Sequence, residues 1–302
     1  AEMLMSTLKS LAKAGYCIVV IEHRLDIVLP FVDKVFHVGD KKVTEITDKE
    51  NYLKDQSIEI ADTCTEFSGT LPVFSLSDIA FSVKDRDILN GVTFDILKGS
   101  RAVLLGENGC GKTTLLRLIS RLEKPTRGVI LQNIDDKFGQ KSKQSKKWYK
   151  KVGVVYQNPD YQLFMPTVEK EIKFGAKSNE FADEIAEKFG VKHLYARHPQ
   201  SLSEGQKRRV SIAAVVATDP EVLILDEPTV GQDYKGLCEM VEVLNKLHEE
   251  THNTMITVTH DKRCAAALCD RSIWVKDGKT YKTGGKTLVN EFFEAQSDIL
   301  KN

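Results

Sequence analysis

The sequence predicts an α/β fold, and three observations predict it. Val103–Leu105 is a short apolar strand running straight into Gly106-Glu-Asn-Gly-Cys-Gly-Lys-Thr113, which opens a helical pattern at Leu115, Leu116, Leu118, Ile119 and Leu122. Val222–Leu225 is a second buried-type strand, with the acids Asp226 and Glu227 at its carboxyl end. A pattern of helix, apolar strand, His, short helix and second strand surrounds His260, and a near-copy surrounds His23. Strands alternating with helices build a largely parallel sheet covered on its faces, and ligands meet such sheets at the carboxyl ends of the strands.

At 302 residues the chain is long enough for one large domain or two small ones. Its 41% hydrophobic and 28% charged residues suit a globular protein with a sizeable core. The 43 basic and 43 acidic side chains cancel, which argues against nucleic acid as the main partner, because phosphate binding calls for an electropositive face. Cysteines at 17, 64, 110, 238, 264 and 269 form no C-x-x-C pair and read as reduced cytosolic thiols packed as small hydrophobes. The opening Ala1-Glu2-Met3 lacks the basic start and apolar run of a signal peptide. No apolar stretch approaches the ~20 residues of a membrane helix, so if the protein serves a membrane process, the membrane part is another chain.

The repeat sets the domain reading. Ile18–Lys42 falls on Met255–Lys279 without a gap at an offset of 237, placing His23 on His260, Asp33 on Asp270, Val38 on Val275 and Asp40 on Asp277. One residue of slack puts Leu8 and Leu11 on Leu244 and Leu247. Phosphate-loop and acidic motifs precede the second copy and not the first. Residues 1–65 are therefore expected to be the tail of an upstream domain of the same kind, and 66–302 a complete one. A fortuitous match of two β-α-β pieces is the alternative. The polar stretch 55–71, ending Ser-Gly-Thr-Leu-Pro, reads as the linker.

Each motif has a physical reading. G-x-x-x-x-G-K-T between strand and helix lets backbone N–H groups turn inward around phosphate oxygens, with the positive end of the helix dipole behind them. Lys112 supplies a point charge to the β- and γ-phosphates, and Thr113 a hydroxyl to Mg2+. Asp226 is suited to hold Mg2+ directly or through water, and Glu227 to take a proton from an attacking water. Ser201 and Glu204 have the spacing of a capping box and so of an ordinary helix start. The same stretch, with Ser203 and Gly205, is also a helix N-terminus suited to a γ-phosphate, and spacing leaves both readings open.

Together these residues resemble the ABC ATPases: a P-loop NTPase with a RecA-like core and helical and antiparallel β subdomains. Gly106–Thr113 is similar to the Walker A motif, Leu223–Glu227 to Walker B with its catalytic glutamate, and Leu202–Gln206, LSEGQ, to the LSGGQ signature. Gln157 falls where the Q-loop does, Val230–Asp233 where the D-loop does, and His260 on the switch histidine, in family order from Leu71 to Asn302. Two positions depart from the pattern. Glu204 stands where glycine is commonest, with Ser203 and Gly205 retained. Val83, with Phe81 two residues earlier, stands where an aromatic residue often stacks on adenine. The stretch Tyr156–Val168 resembles energy-coupling-factor and cobalt-type ATPases, and the LSEGQKRR and EPTVGQD wording points the same way, toward fused tandem ATPases of vitamin or metal-ion uptake systems.

The resemblance implies the rest of the site. ATP would lie on Gly106, Glu107, Asn108, Gly109, Cys110, Gly111, Lys112, Thr113 and Thr114, and Mg2+ on Thr113, Gln157 and Asp226. Glu227, His260 and Gln157 would handle the γ-phosphate and attacking water. Ser203 and Gly205 would serve the ATP of a second cassette paired head to tail. The expected partner is a membrane permease on a separate chain, at the cytoplasmic face of the cell membrane, and the expected work is uptake of a vitamin or metal ion.

Other stretches have local readings. Lys137–Lys151, with seven lysines around Trp148 and Tyr149, is expected to be a solvated hairpin or loop rather than a nucleic-acid contact. The helical segment Glu169–His198 is expected to be the helical subdomain. Phe164, Met165 and Val168 are candidates for the permease contact, with a local core as the alternative reading. His23 has no phosphate loop of its own to serve. The rival functions are a soluble tandem ABC protein acting on ribosomes or DNA, and a binding-only regulatory ATPase, which Glu227 disfavours.

Overall fold

The computed structural model describes residues 2–22, 28–39, 41–49, 51–52, 71–84, 86–134, 137–139 and 146–301. His23 and residues 55–70 of the expected linker lie outside the described residues. The apolar runs become strands buried along their whole length: β5 (Arg101–Leu105), β9 (Val222–Asp226) and β10 (Thr254–Val258). Continuous burial of this kind marks parallel strands covered on both faces. With β8 (Val152–Val155), β11 (Arg271–Lys276) and β12 (Lys279–Gly284) they form one sheet in the order β12-β11-β5-β10-β9-β8, antiparallel only at the β11–β12 hairpin. The strand that feeds the glycine-rich loop therefore has a parallel neighbour on each side.

A second, four-stranded sheet joins β3 (Pro72–Val83), β4 (Arg86–Leu97), β6 (Arg127–Ile134) and β7 (Lys137–Gly139) in the order β4-β3-β6-β7. Its buried face, including Phe74, Leu76, Ile79, Val92 and Ile96, packs into one core with β5 and helix α2 (Lys112–Ile119). The lysine-rich stretch is only in part the solvated hairpin expected of it. β7 pairs with β6, but Lys146–Lys151 forms a helix, α3. Its Trp148 is buried, donates from its indole nitrogen to Gln132 Oε1 at 2.8 Å and lies 4.8 Å beneath the Arg121 guanidinium. The charged spacing concealed an apolar anchor.

A helical layer covers β8 and β9: α4 (Val168–Lys173), α5 (Asn179–Lys188), α6 (Glu204–Val216) and α7 (Tyr234–Thr251). Thr167 caps α4 by accepting from Lys170 N, and Ser178 caps α5 by accepting from Phe181 N. Val168 is fully buried in this core, so of the three proposed permease contacts it belongs to the local packing. Phe164 is exposed and makes an edge-to-face pair with Phe174 at 5.4 Å. Helix α8 (Lys262–Ala267) connects β10 to β11, and α9 (Lys286–Lys301) follows β12.

The amino-terminal segment repeats the end of this fold in part: its helix and hairpin recur, but residues 17–21, expected as a strand, form none where β10 stands. Helix α1 (Glu2–Lys13) is followed by Gly15 at φ 97°, as α7 is followed by His252 at φ 50° at the same offset of 237. The hairpin of β1 (Val35–Gly39) and β2 (Lys42–Ile46) pairs Gly39 with Lys42, as the β11–β12 hairpin pairs Lys276 with Lys279. Lys41 at φ 60° occupies the turn position of Gly278 at φ 69°. The environments differ. Val19 and Ile21 are 84% and 89% exposed, whereas the matching Ile256 and Val258 are buried.

At the end of β5 away from the loop, Arg101 pins three elements. Its Nη2 lies 2.7 Å from Asp270 Oδ1, its Nη1 donates to Asn245 Oδ1 at 2.7 Å, and its backbone N–H donates to Asp270 Oδ2 at 2.8 Å. Both charged side chains are almost fully buried. Removing one partner leaves the other buried and unpaired, so Asp270→Ala is expected to cost about 3–5 kcal/mol of stability. Urea unfolding checks the loss, and nucleotide affinity measured below the unfolding transition should not change.

Candidate functional site

The loop after β5 is shaped by close approach. A Cβ on Gly106 would lie 2.4 Å from Cys110 Sγ and 2.5 Å from the Val275 carbonyl oxygen. Gly111, at φ 103°, would drive a Cβ to within 2.5 Å of Leu89 Cδ2. Only glycine lets the chain wrap this tightly between β11 and β4. Lys112 is the first residue of α2, and its side chain folds back so that Nζ donates to the carbonyls of Gly106 at 2.7 Å and Glu107 at 2.9 Å. Its charge is thus held under the loop, where the N-terminus of α2 adds its own positive end.

Facing the loop is a cavity of about 340 Å3. Asn108, Gly109, Gly111, Lys112, Thr113 and Thr114 line it on one side, and Gln157, Asp226, Glu227 and His260 on the other. Residues far apart in sequence converge here because β5, β8, β9 and β10 all end on the same edge of the sheet. Asn108 and Gly109 also border a neighbouring crevice of about 350 Å3, where Glu107 and Cys110 sit; neither of those two lines the Lys112 cavity.

The two acids differ in setting. Burial raises the Asp226 carboxyl, opposed by the positive charges of Arg208 and Lys112. Glu227, at the end of β9, holds a left-handed φ of 53°, which a non-glycine residue adopts at a cost. Its N–H donates to Val258 O at 2.8 Å, fixing the strained turn to β10. Burial pushes the Glu227 carboxyl up to about 7. Oε2 accepts from His260 N at 3.2 Å, while Oε1 is buried without a hydrogen-bond partner. His260 Nε2 stands 3.5 Å from Oε1, beyond a good hydrogen bond. Burial and the Lys112 charge lower the His260 imidazole, which disfavours an ion pair with Glu227.

The oxygen donors fit a hard cation. The Thr113 hydroxyl, the Gln157 amide and the Asp226 carboxylate share this cavity with the unpartnered Glu227 oxygen. Oxygen ligands of this kind suit Mg2+. Among the described residues no group of three or more His, Cys, Asp or Glu could hold a metal by itself.

Ser203 and Gly205 lie elsewhere. Ser203 caps α6 in a reciprocal capping box with Gln206. That box is not the Ser201–Glu204 one expected from spacing. Pro199–Ser201 forms a 3-10 turn in which the Ser201 hydroxyl donates to His198 O. The exposed Ser203 and the half-buried Gly205 do not line the Lys112 cavity. Sequence reasoning missed Arg86 and Ile88, which line that cavity from β4, while Phe81 and Val83 do not line it. Only the β3–β4 pairing brings residue 86 to the loop, and no local pattern signals it.

Known proteins share this arrangement. A family model described as ABC transporter matches residues 89–230. The energy-coupling factor transporter ATP-binding protein EcfA2 of Bacillus subtilis is 40% identical over 210 residues, covering 66% of this chain and 76% of that protein. The putative HMP/thiamine import ATP-binding protein YkoD of the same organism is 31% identical over 304 residues, 87% of this chain, and the chain spans 55% of its length. Among solved structures, cbiO1 of Clostridium perfringens, part of the ABC transporter complex cbiONQ, superposes with a TM-score of 0.64 at 31% identity, covering 76% of this chain and 94% of that one. A cassette solved as a dimer in a post-hydrolysis state with ADP and Pi superposes at 0.62 with 27% identity, covering 70% and 98%. Among the described residues no helix is long and apolar enough to cross a membrane. The chain belongs to the ATP-binding proteins of ABC transporters, the ATP-hydrolysing cassettes whose sheet, phosphate loop and acid pair it carries.

Proposed function

We propose that this chain binds and hydrolyses ATP to power uptake of a small solute, a vitamin or metal ion, by a permease on a separate chain, as a peripheral subunit at the cytoplasmic face of the membrane. One observation carries the hydrolytic part: a strained, buried glutamate with an unpartnered oxygen faces the cavity that the Lys112 loop opens. In this reading Lys112 and the amides of the loop neutralise the phosphate tail. Thr113, Gln157 and Asp226 would hold Mg2+, which supplies charge neutralisation of the phosphates when bound. Glu227 accepts the proton of the attacking water. His260, neutral and 3.5 Å from Glu227, holds that water and the γ-phosphate in line.

Ser203 and Gly205 sit outside the Lys112 cavity, which favours head-to-tail pairing in which they complete the site of a second cassette. The solved dimer of a related cassette supports this arrangement. We take 66–302 as the complete cassette and 1–65 as the end of an upstream one fused to it. The matched turn geometry of the two segments supports this, as does the alignment to YkoD across 87% of the chain. Exposed Phe164 and Phe174, with the half-buried Met165, form the surface offered to the permease. Affinity purification from solubilised membranes followed by mass spectrometry tests the assignment. An integral membrane protein is expected in stoichiometric amount, and capture of ribosomal proteins or DNA in its place would overturn it.

A further inference from the structure

Arg208 is the largest fully buried side chain among the described residues. A methionine or leucine would fill that space without taking a charge out of water, so its partners matter. Nη1 donates to Tyr156 O at 2.6 Å and Nη2 to the next carbonyl, Gln157 O, while Nε has no partner. Burial lowers the guanidinium, and Asp226, Glu227 and Glu204 oppose that shift. The planar fork thus grips two consecutive carbonyls of the segment that carries Gln157 into the phosphate cavity.

Its neighbours extend the connection. Lys207, also buried, bonds Asp160 at 2.9 Å on the same loop. Arg209 bonds Glu239 at 2.7 Å on α7, and Gln232 donates to Gly205 O at 2.8 Å. Three successive basic residues and Gln232 therefore fasten α6, which Ser203 caps, to the Gln157 loop on one side and to α7 and the segment after Glu227 on the other.

We infer that Arg208 is a positioning residue for Gln157, locking the loop that faces this cassette's own nucleotide to the helix whose N-terminus serves the other one. The inference rests on the ATP-site reading above.

Arg208→Lys is the informative variant, because an ammonium keeps the charge near Asp226 but cannot span two carbonyls as a fork does. Hydrogen–deuterium exchange of the nucleotide-free protein should show faster exchange at 156–162 and no change in α2. The Mg2+ concentration for half-maximal ATP binding should rise about tenfold, as when a partner orienting a metal ligand is lost. In a Q157A background the same substitution should shift it no further. Unchanged loop exchange, wild-type Mg2+ dependence in Q157A alone, or an equal shift with and without Gln157 would each overturn the assignment. If Arg208→Lys does not fold, Asp160→Asn frees the same loop from Lys207 and is read by the same three outcomes. Intact nucleotide affinity in Lys112→Ala would instead overturn the ATP site itself.

Discussion

Replacing Glu227 by Gln is expected to cut ATP turnover at least about a hundredfold while leaving ATP bound, the scale of a lost general base. Gln keeps the shape of the side chain and an oxygen to accept from His260 N, but it cannot take a proton. The setting of Glu227 fits that role: a carboxyl pushed up to about 7 is half ionised at neutral pH and basic enough to deprotonate water. Asp226 helps hold it up, Lys112 and the His260 N–H oppose, and the neutral His260 ring faces it. Wild-type turnover should therefore fall as pH drops through about 7, where the base protonates.

The same burial predicts a stability effect of opposite sign. The folded value lies above the ordinary 4.5, so the fold resists ionisation that the unfolded chain does not. This penalty is absent below pH 4.5, grows between 4.5 and about 7, and is complete above. Glu227→Gln should accordingly stabilise the nucleotide-free protein at pH 8, by up to about 3 kcal/mol at 1.36 kcal/mol per unit, with the difference gone near pH 4.5. Single-turnover assays and melting curves at the two pH values measure both. Wild-type turnover in the variant would falsify the base assignment.

How much of this was legible before the structure depends on whether the signal is local. Strand, loop and helix at 103–122 are contiguous, and glycines with a lysine between two apolar runs admit few other structures. Asp226 and Glu227 were legible for the same reason, as the two acids that follow the four-residue apolar run Val222–Leu225. The two serines of the α6 entry show the limit. Ser201 and Ser203 each have an acceptor three residues on, and the choice falls to Pro199, which starts a 3-10 turn that engages Ser201 with His198 O. Trp148 and Arg208 were hidden by composition. Trp148 read as part of a solvated lysine-rich stretch and Arg208 drew no reading of its own, and their partners lie 16 and some 50 residues away. The position of β5 between β10 and β11, which assembles the cavity, is set by non-local pairing that no window of sequence reports.

Lys112→Ala should weaken nucleotide binding and cut turnover together. Lys112 Nζ is buried and already donates to the Gly106 and Glu107 carbonyls, so the side chain is aimed before nucleotide arrives and little entropy is lost on binding. Charge-assisted bonds of this kind contribute about 1.5–3 kcal/mol each; loss of even one such contact to the phosphates weakens Kd about tenfold to a hundredfold. A second effect follows, because Lys112 is also one of the charges holding the Glu227 carboxyl down. Its removal drives Glu227 further toward the protonated form, so the base fails along with binding. The two losses then share a cause, and Lys112→Ala combined with Glu227→Gln should be no less active than the worse single variant. Arginine is not a substitute, since its fork cannot occupy the space beneath the loop that a slender ammonium fills. Calorimetric titration with ATP and Mg2+ measures the affinity. An unchanged Kd in Lys112→Ala would mean that the loop, for all its resemblance, does not hold the triphosphate.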